Sequence, residues 1–249
     1  MLSGKMRKFK NILSYAFKLD EEFIKESCKF TKIDIYLSLL LFCIAYIITH
    51  FAFYWRNTIA LLLTEIPLPF LGFIVSTIPT AVIIGIVFLV CKLRGHKFLT
   101  AGFNIKNTKK SLFIGFFIGI SYVLYIYNLY SAAVDINFVT IVYIIFFILS
   151  AFSEQILFRS YIGARFYGYF KSKWKAVFLA CVAVALLHIP NEMNASNISF
   201  LQAFVNRLFW DDTVAHIALF WLYAKYNDIF GPILLHVMIN LAAVIFIIA

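Results

Sequence analysis

The sequence predicts an all-α protein, a polytopic membrane helical bundle of about seven transmembrane helices preceded by an N-terminal amphipathic helix. Three observations predict it. Of 249 residues, 63% are hydrophobic and only 14% charged, with a mean hydropathy of +0.90, whereas an ordinary soluble domain is about half apolar and a quarter charged. Charge-free apolar stretches run from Tyr36 to Phe53, Ile66 to Cys91, Ser111 to Val134, Ile136 to Ser153 and Ala176 to Leu187. Another, from Ile229 to the C-terminus, is interrupted only by His236. Several reach the roughly 20 residues that carry a helix across a bilayer. Finally, alternation at period two is not sustained anywhere, and backbone in lipid must satisfy its own hydrogen bonds, so helices are expected rather than a barrel.

The first element is the segment 1–32. Lys5, Arg7, Lys8, Lys10, Lys18 and Lys25 accompany Phe9, Ile12, Leu13, Ala16, Phe17, Phe23 and Ile24 at helical spacing. This pattern predicts an amphipathic helix on an anionic inner leaflet, with a solvated basic tail as the alternative. Either way the N-terminus is expected in the cytoplasm, and no cleavable leader is expected because the first long apolar run starts only near Ile33. The transmembrane helices then divide into an N-terminal group, 33–135, and a second group, 136–249, that holds the polar residues of interest.

Loop charges set the orientation. The loop from Arg56 to Glu65 is nearly uncharged, and the loop from Lys92 to Lys110 carries Lys92, Arg94, Lys97, Lys106, Lys109 and Lys110. The loop around Asp135 is acidic, and the next basic cluster is Arg165, Lys171, Lys173 and Lys175. Basic and non-basic loops alternate, as they do when positive residues remain inside a cell membrane crossed several times. The net charge of +10 is therefore explained by orientation and lipid contact, and no nucleic-acid partner is expected. Cys28, Cys43, Cys91 and Cys181 form no CxxC pair and read as packing residues.

Within the second group, the stretch from Ile136 to Phe170 is longer than one straight crossing at 1.5 Å per residue, so it must tilt, break near Ser150 to Ser153, or project into the cytoplasm. Pro190 is expected to end the next helix, with Asn191, Asn194, Ser196 and Asn197 forming a loop. Asp211-Asp212-Thr213 reads as the N-terminus of a helix running to about Tyr226. Residues Phe200 to Trp210 form either a separate interfacial or re-entrant helix or one bent helix together with that one. Asn227-Asp228-Ile-Phe-Gly231-Pro232 predicts a turn, with Pro232 in the first turn of the last helix.

The chemistry is concentrated in a few polar groups where lipid makes them costly, and such groups are functional candidates by default. Glu154, Gln155 and Arg159 fall in one apolar run, and His188, His236 and Asn240 fall in two others. A carboxylate, two imidazoles and a carboxamide supply a general base, a proton-sharing partner and donors for an oxyanion. Gln155 and Arg159 are one turn apart, as are His236 and Asn240. Counted from the basic loops, however, His236 lies about five residues into its helix and His188 about fourteen, a depth difference of roughly 13 Å that tilt or a late start must remove. His50, His96 and His216 read as packing or hydrogen-bonding residues, and Arg159 either braces the site or snorkels to the inner interface.

Three spaced motifs, Glu154-Gln155-xxx-Arg159, Val184-Ala-Leu-Leu-His188 and His236-xxx-Asn240, resemble in this order the EExxxR, FxxxH and HxxxN motifs of the CPBP intramembrane protease family. That family includes the CAAX prenyl endopeptidases and bacterial proteins linked to bacteriocin self-immunity. The resemblance implies a hydrolase acting on a peptide or protein substrate in the membrane. It implies that Glu154 activates the hydrolytic water, His188 assists, His236 with Asn240 orients water and holds the oxyanion, and Gln155 and Arg159 support them. The cofactor is left open between zinc held by His188, His236 and Glu154 and a metal-independent glutamate mechanism. Two positions depart from the pattern: Gln155 stands for its second glutamate and Val184 for its phenylalanine. The first departure keeps a rival function open, a non-catalytic membrane immunity or scaffold protein that binds a membrane peptide.

Overall fold

The computed structural model describes residues 17–62, 68–97, 102–130, 138–211 and 213–247. Residues 1–16 of the proposed amphipathic segment, the region around Asp135 and Asp212 lie outside the described residues. Within them the chain folds into helices: α1 Glu21–Ser27, α2 Lys32–Leu62, α3 Leu68–Leu93, α4 Thr108–Tyr130, α5 Phe138–Glu154, α6 Ala164–Phe170, α7 Lys173–Ser196, α8 Phe200–Asn206, α9 Thr213–Tyr226 and α10 Phe230–Ile247. A π-helical segment, Gln155–Gly163, joins α5 to α6, and a second, Arg207–Asp211, comes after α8. Among the described residues, β pairing is limited to one antiparallel bridge between Phe103 and Asp228.

Four described stretches are long and apolar enough to cross a membrane: Lys32–Ala52, Ile105–Leu129, Ile144–Phe170 and Lys173–Met193. Two shorter apolar stretches are Thr77–Leu93 and Phe230–Ala242. The described residues are helical apart from their connections, and the chain is a multi-pass membrane protein. Its outer surface carries large apolar side chains, among them Tyr36, Phe51, Phe113, Phe117, Leu124 and Phe178. Such a surface is costly in water and suited to acyl chains.

Several boundaries differ from the sequence reading. Helix α2 continues to Leu62, through most of the expected loop at 56–65. Helix α7 does not stop at Pro190 but runs to Ser196, ending at Asn197 in the left-handed conformation with φ of 49°. Proline removes one backbone donor, but a helix inside a bundle can continue where neighbours hold its far end. Here they do: buried Glu192 accepts a hydrogen bond from Asn206 Nδ2 at 3.3 Å and an ion-pair contact from Arg207. Thr213 does begin α9, and its hydroxyl donates back to the Leu208 carbonyl across the π segment.

The stretch from Phe138 to Phe170 does not break near Ser150 to Ser153 but continues through the π-helical segment to Phe170. Its far end, α6, packs against α1, and Gly168 approaches the Ser27 backbone so closely that no Cβ fits. Arg165, expected among the basic loop residues, is instead fully buried. Its guanidinium lies 3.4 Å from the Tyr161 ring centroid and 4.4 Å from that of Phe30, and donates to the Tyr161 carbonyl at 3.1 Å and to His96 Nδ1 at 3.1 Å. A weakly hydrated planar cation tolerates such aromatic burial better than an ammonium would. The opposite edge of His96 faces Asp34 at 3.7 Å, and Asp34, also fully buried, accepts from Arg94 Nε at 3.1 Å and the Thr31 N–H at 2.8 Å. This polar cluster ties the ends of α2 and α3 to α6. Of the four cysteines, all free, Cys91 and Cys181 are buried packing residues while Cys28 and Cys43 are exposed.

Helices α4 and α10 make the most extensive helix pairing among the described residues, and small residues allow it. A Cβ on Gly115 would lie 2.6 Å from the Gly231 carbonyl oxygen, and one on Gly119 would lie 2.5 Å from Met238 Sδ. In lipid, where apolar surface gains little from leaving its solvent, backbone approach of this kind is a principal source of helix association.

Candidate active site

The site is built around the end of α5 and the π segment after it. All nine residues from Gln155 to Gly163 are buried, and the Ala164 N–H reaches the Arg159 carbonyl, the five-residue step of a π turn. Single π turns inserted in helices are frequently found at functional positions because they redirect side chains without ending the helix. Glu154 is the last residue before the π segment and Gln155 the first within it.

Three helices bring their polar groups to one carboxylate. Glu154 Oε2 lies 4.0 Å from His188 Nε2 on α7 and 3.9 Å from His236 Nε2 on α10, and Ser150 Oγ donates to Glu154 Oε1 at 3.4 Å. The expected depth mismatch between the histidines is thus absent. Helix α7 starts at Lys173, directly after α6, whereas α10 starts at Phe230 after a turn tied to the residues that precede α4. That turn is held by the Gly102 carbonyl, which accepts from the Ile229 N–H at 2.9 Å, and by Asp228, which accepts from Thr108 Oγ1 at 2.7 Å. The starting levels differ, and the two imidazoles meet.

Gln155 Nε2 lies 3.0 Å from His236 Nδ1 in a fully buried contact. Arg159 is buried, so it does not snorkel, and its Nη2 contacts His216 Nδ1 on α9. The sequence marks His216 only as a packing or hydrogen-bonding residue; the structure adds it to the wall of the site. The signal that could have found it is the one that singles out Glu154, an ionisable group inside an apolar helix. Asn240 lies one turn beyond His236 on α10 and is partly exposed. The carboxylate and the two imidazoles nearest it are unequally covered, with side-chain exposures of 13% for Glu154, 30% for His188 and 10% for His236. The site therefore opens beside His188.

The residues do not fit a zinc ion as they stand. Tetrahedral zinc with bonds of about 2.1 Å spaces its ligand atoms about 3.4 Å apart, and here the carboxylate and imidazole atoms are 3.9 and 4.0 Å apart. Among the described residues no three His, Cys, Asp or Glu side chains form a group able to hold a metal ion. A water molecule hydrogen-bonded to all three groups fits the spacing with bond angles near 90° at it, given contacts of about 2.8 Å. What the arrangement can do without rearranging is place a water against a buried carboxylate.

A Glu–His–His cluster at the meeting point of three apolar helices, open beside His188, defines a candidate intramembrane hydrolase. Residues 136–242 match the family described as type II CAAX prenyl endopeptidase Rce1-like, a match that supports the resemblance to CAAX-type proteases. The match spans Glu154, His188, His236 and Asn240 and leaves α1 to α4 outside it. No curated protein and no solved structure matches the chain.

Proposed function

We propose that this protein is an intramembrane endopeptidase that hydrolyses a peptide bond by metal-independent, glutamate-activated water. The observation that carries the reading is the approach of two imidazole Nε2 atoms to one Glu154 carboxylate oxygen at 3.9 and 4.0 Å. Glu154 takes a proton from the bound water as its oxygen attacks the scissile carbonyl carbon. The carbonyl π electrons move to oxygen, and this oxyanion is held by His236 and by the Asn240 amide. His188 orients the water from the open side. Collapse breaks the C–N bond, and the proton on Glu154 passes to the leaving nitrogen, which restores the carboxylate.

The substrate class that best suits a site opening among apolar helices is a peptide held at the membrane, either a prenylated CAAX-type tail or a small bacteriocin-related peptide. About seven spans with a cytoplasmic N-terminus, divided at residue 135 into a supporting half and a catalytic half, complete the reading. A second reading, a non-catalytic immunity or scaffold protein that captures a membrane peptide, is favoured by one observation, the carboxamide of Gln155 where the family motif has a second glutamate.

The test is cleavage of a lipidated peptide by purified protein in nanodiscs, comparing wild type with Glu154→Gln and His188→Ala. Removing a general base lowers such a rate by about 10²- to 10⁴-fold. Loss of cleavage in both variants supports the enzyme. Peptide binding without cleavage in the wild type and in both variants supports the scaffold.

A further inference from the structure

We propose that Gln155 sets the tautomer of His236, holding its proton on Nε2 so that the imidazole faces Glu154 as a hydrogen-bond donor. The inference rests on the hydrolytic reading of the site only for its functional meaning; the geometry stands apart from it. Gln155 Nε2 lies 3.0 Å from His236 Nδ1. An amide N–H donates, so Nδ1 must accept, and a neutral imidazole that accepts at Nδ1 carries its proton on Nε2. That Nε2 is the atom 3.9 Å from Glu154 Oε2.

The amide orientation comes from accounting for buried groups. As it stands, Gln155 leaves one buried oxygen without a protein partner. Turning the amide over would give that oxygen to His236 and bury two N–H donors in its place. Buried donors are left unpaired less often than carbonyl oxygens. Glu154 Oε2 is itself buried without a hydrogen-bond partner, so the carboxylate has an acceptor position free toward the two imidazoles.

The consequence depends on the residue type at 155. A glutamate there is acceptor-only when ionised and would demand a proton on Nδ1, leaving Nε2 bare and able to take a proton or a metal ion. The glutamine inverts this polarity. It makes His236 an Nε2–H donor, suited to orienting water or stabilising an oxyanion and unsuited to ligating a metal through that atom. Gln155 is thus a positioning residue acting through His236, and the departure from the EExxxR pattern is a change of imidazole polarity.

Nitrogen NMR on ¹⁵N-histidine-labelled protein in nanodiscs near neutral pH reads this directly, with His236 assigned by loss of its signals in His236→Gln. In the wild type, His236 is expected as the Nε2–H tautomer. In Gln155→Glu its proton should move to Nδ1 or its ring become fully protonated, and in Gln155→Leu the two neutral tautomers should mix. A wild-type His236 protonated on Nδ1, or a His236 spectrum unchanged in Gln155→Glu, would overturn the proposal. If Gln155→Glu does not fold, the wild-type tautomer together with Gln155→Leu decides. The readout needs no turnover: a failure of Glu154→Gln to abolish cleavage would reject Glu154 as the general base and leave the tautomer result intact.

Discussion

Substituting alanine for Gly231 should displace His236 and depress activity from a position that carries no chemistry. Gly231 lies in the first turn of α10, against α4. A Cβ built there meets the Ser111 carbonyl carbon and oxygen at 2.6 Å, and ordinary contact begins at 3.4 Å. The nearest atom, the Ser111 hydroxyl oxygen at 2.1 Å, can rotate away, but the backbone beside it cannot, so the helices must part by about 0.8 Å. Reciprocally, a Cβ on Gly115 meets the Gly231 carbonyl oxygen at 2.6 Å. His236 is five residues further along α10, about 7.5 Å up the axis, and a rigid helix carries most of the shift to it. Its 3.9 Å approach to Glu154 then changes by up to about 0.8 Å. Misplacement of a reacting group by about 1 Å can cost about 10²-fold in rate, while overpacking costs about 1–3 kcal/mol of stability. The assay is peptide cleavage together with thermal melting in the same nanodiscs, using Gly85→Ala, where nothing lies within 4 Å, as the control. A Gly231→Ala protein that cleaves within twofold of wild type and melts unchanged would refute the claim that this close approach sets the position of α10.

Three further outcomes are expected. Extended treatment with a zinc chelator should leave the cleavage rate within twofold of the untreated protein; a loss restored by stoichiometric zinc would place a metal in the site. Arg94→Ala should destabilise the fold, because it removes the partly exposed guanidinium that pairs with the fully buried Asp34; chemical unfolding in micelles measures this, and an unchanged midpoint contradicts it. Burial first, and then the Arg165 charge, hold the His96 pKa below its ordinary value of 6.5, against the opposing pull of Asp34 and Glu26 and with a smaller contribution from Arg94. The folded state therefore prefers His96 neutral, so its contribution to stability is complete above the unfolded pKa and is lost as pH falls below it. Melting temperature should drop on acidification, and His96→Gln, which can still accept from Arg165 but cannot be protonated, should flatten that drop; an equal drop in the variant would rule His96 out as its origin.

The site is partly legible in the chain itself. Glu154, His188 and His236 stand out because the cost of an ionisable group in lipid is a local property, visible wherever apolar residues surround it. His216 meets the same criterion, but no motif contains it and nothing local separates it from a packing histidine. The neighbours of Gln155 are not legible at all: on helical spacing its partner is Arg159, one turn on, yet in the fold its amide meets His236, 81 positions away. Pro190 misleads for a related reason. Its local effect is to stop a helix, and only the grip of Asn206 and Arg207 on Glu192 shows why α7 continues.

Composition and the spacing of apolar runs determined by themselves that this is a helical membrane protein, because lipid imposes its demands on every residue independently. Motif order pointed to the family that residues 136–242 match and to three of the four helices that form the candidate site. The tertiary structure alone decided that His188 and His236 lie at one depth, that Arg165 and Asp34 are buried in one cluster, and that the Gln155 amide faces His236. Each of these depends on where one helix starts relative to another, and that offset is fixed by backbone contacts such as Gly231 on Ser111 and Ile229 on Gly102, between residues that no sequence window contains together.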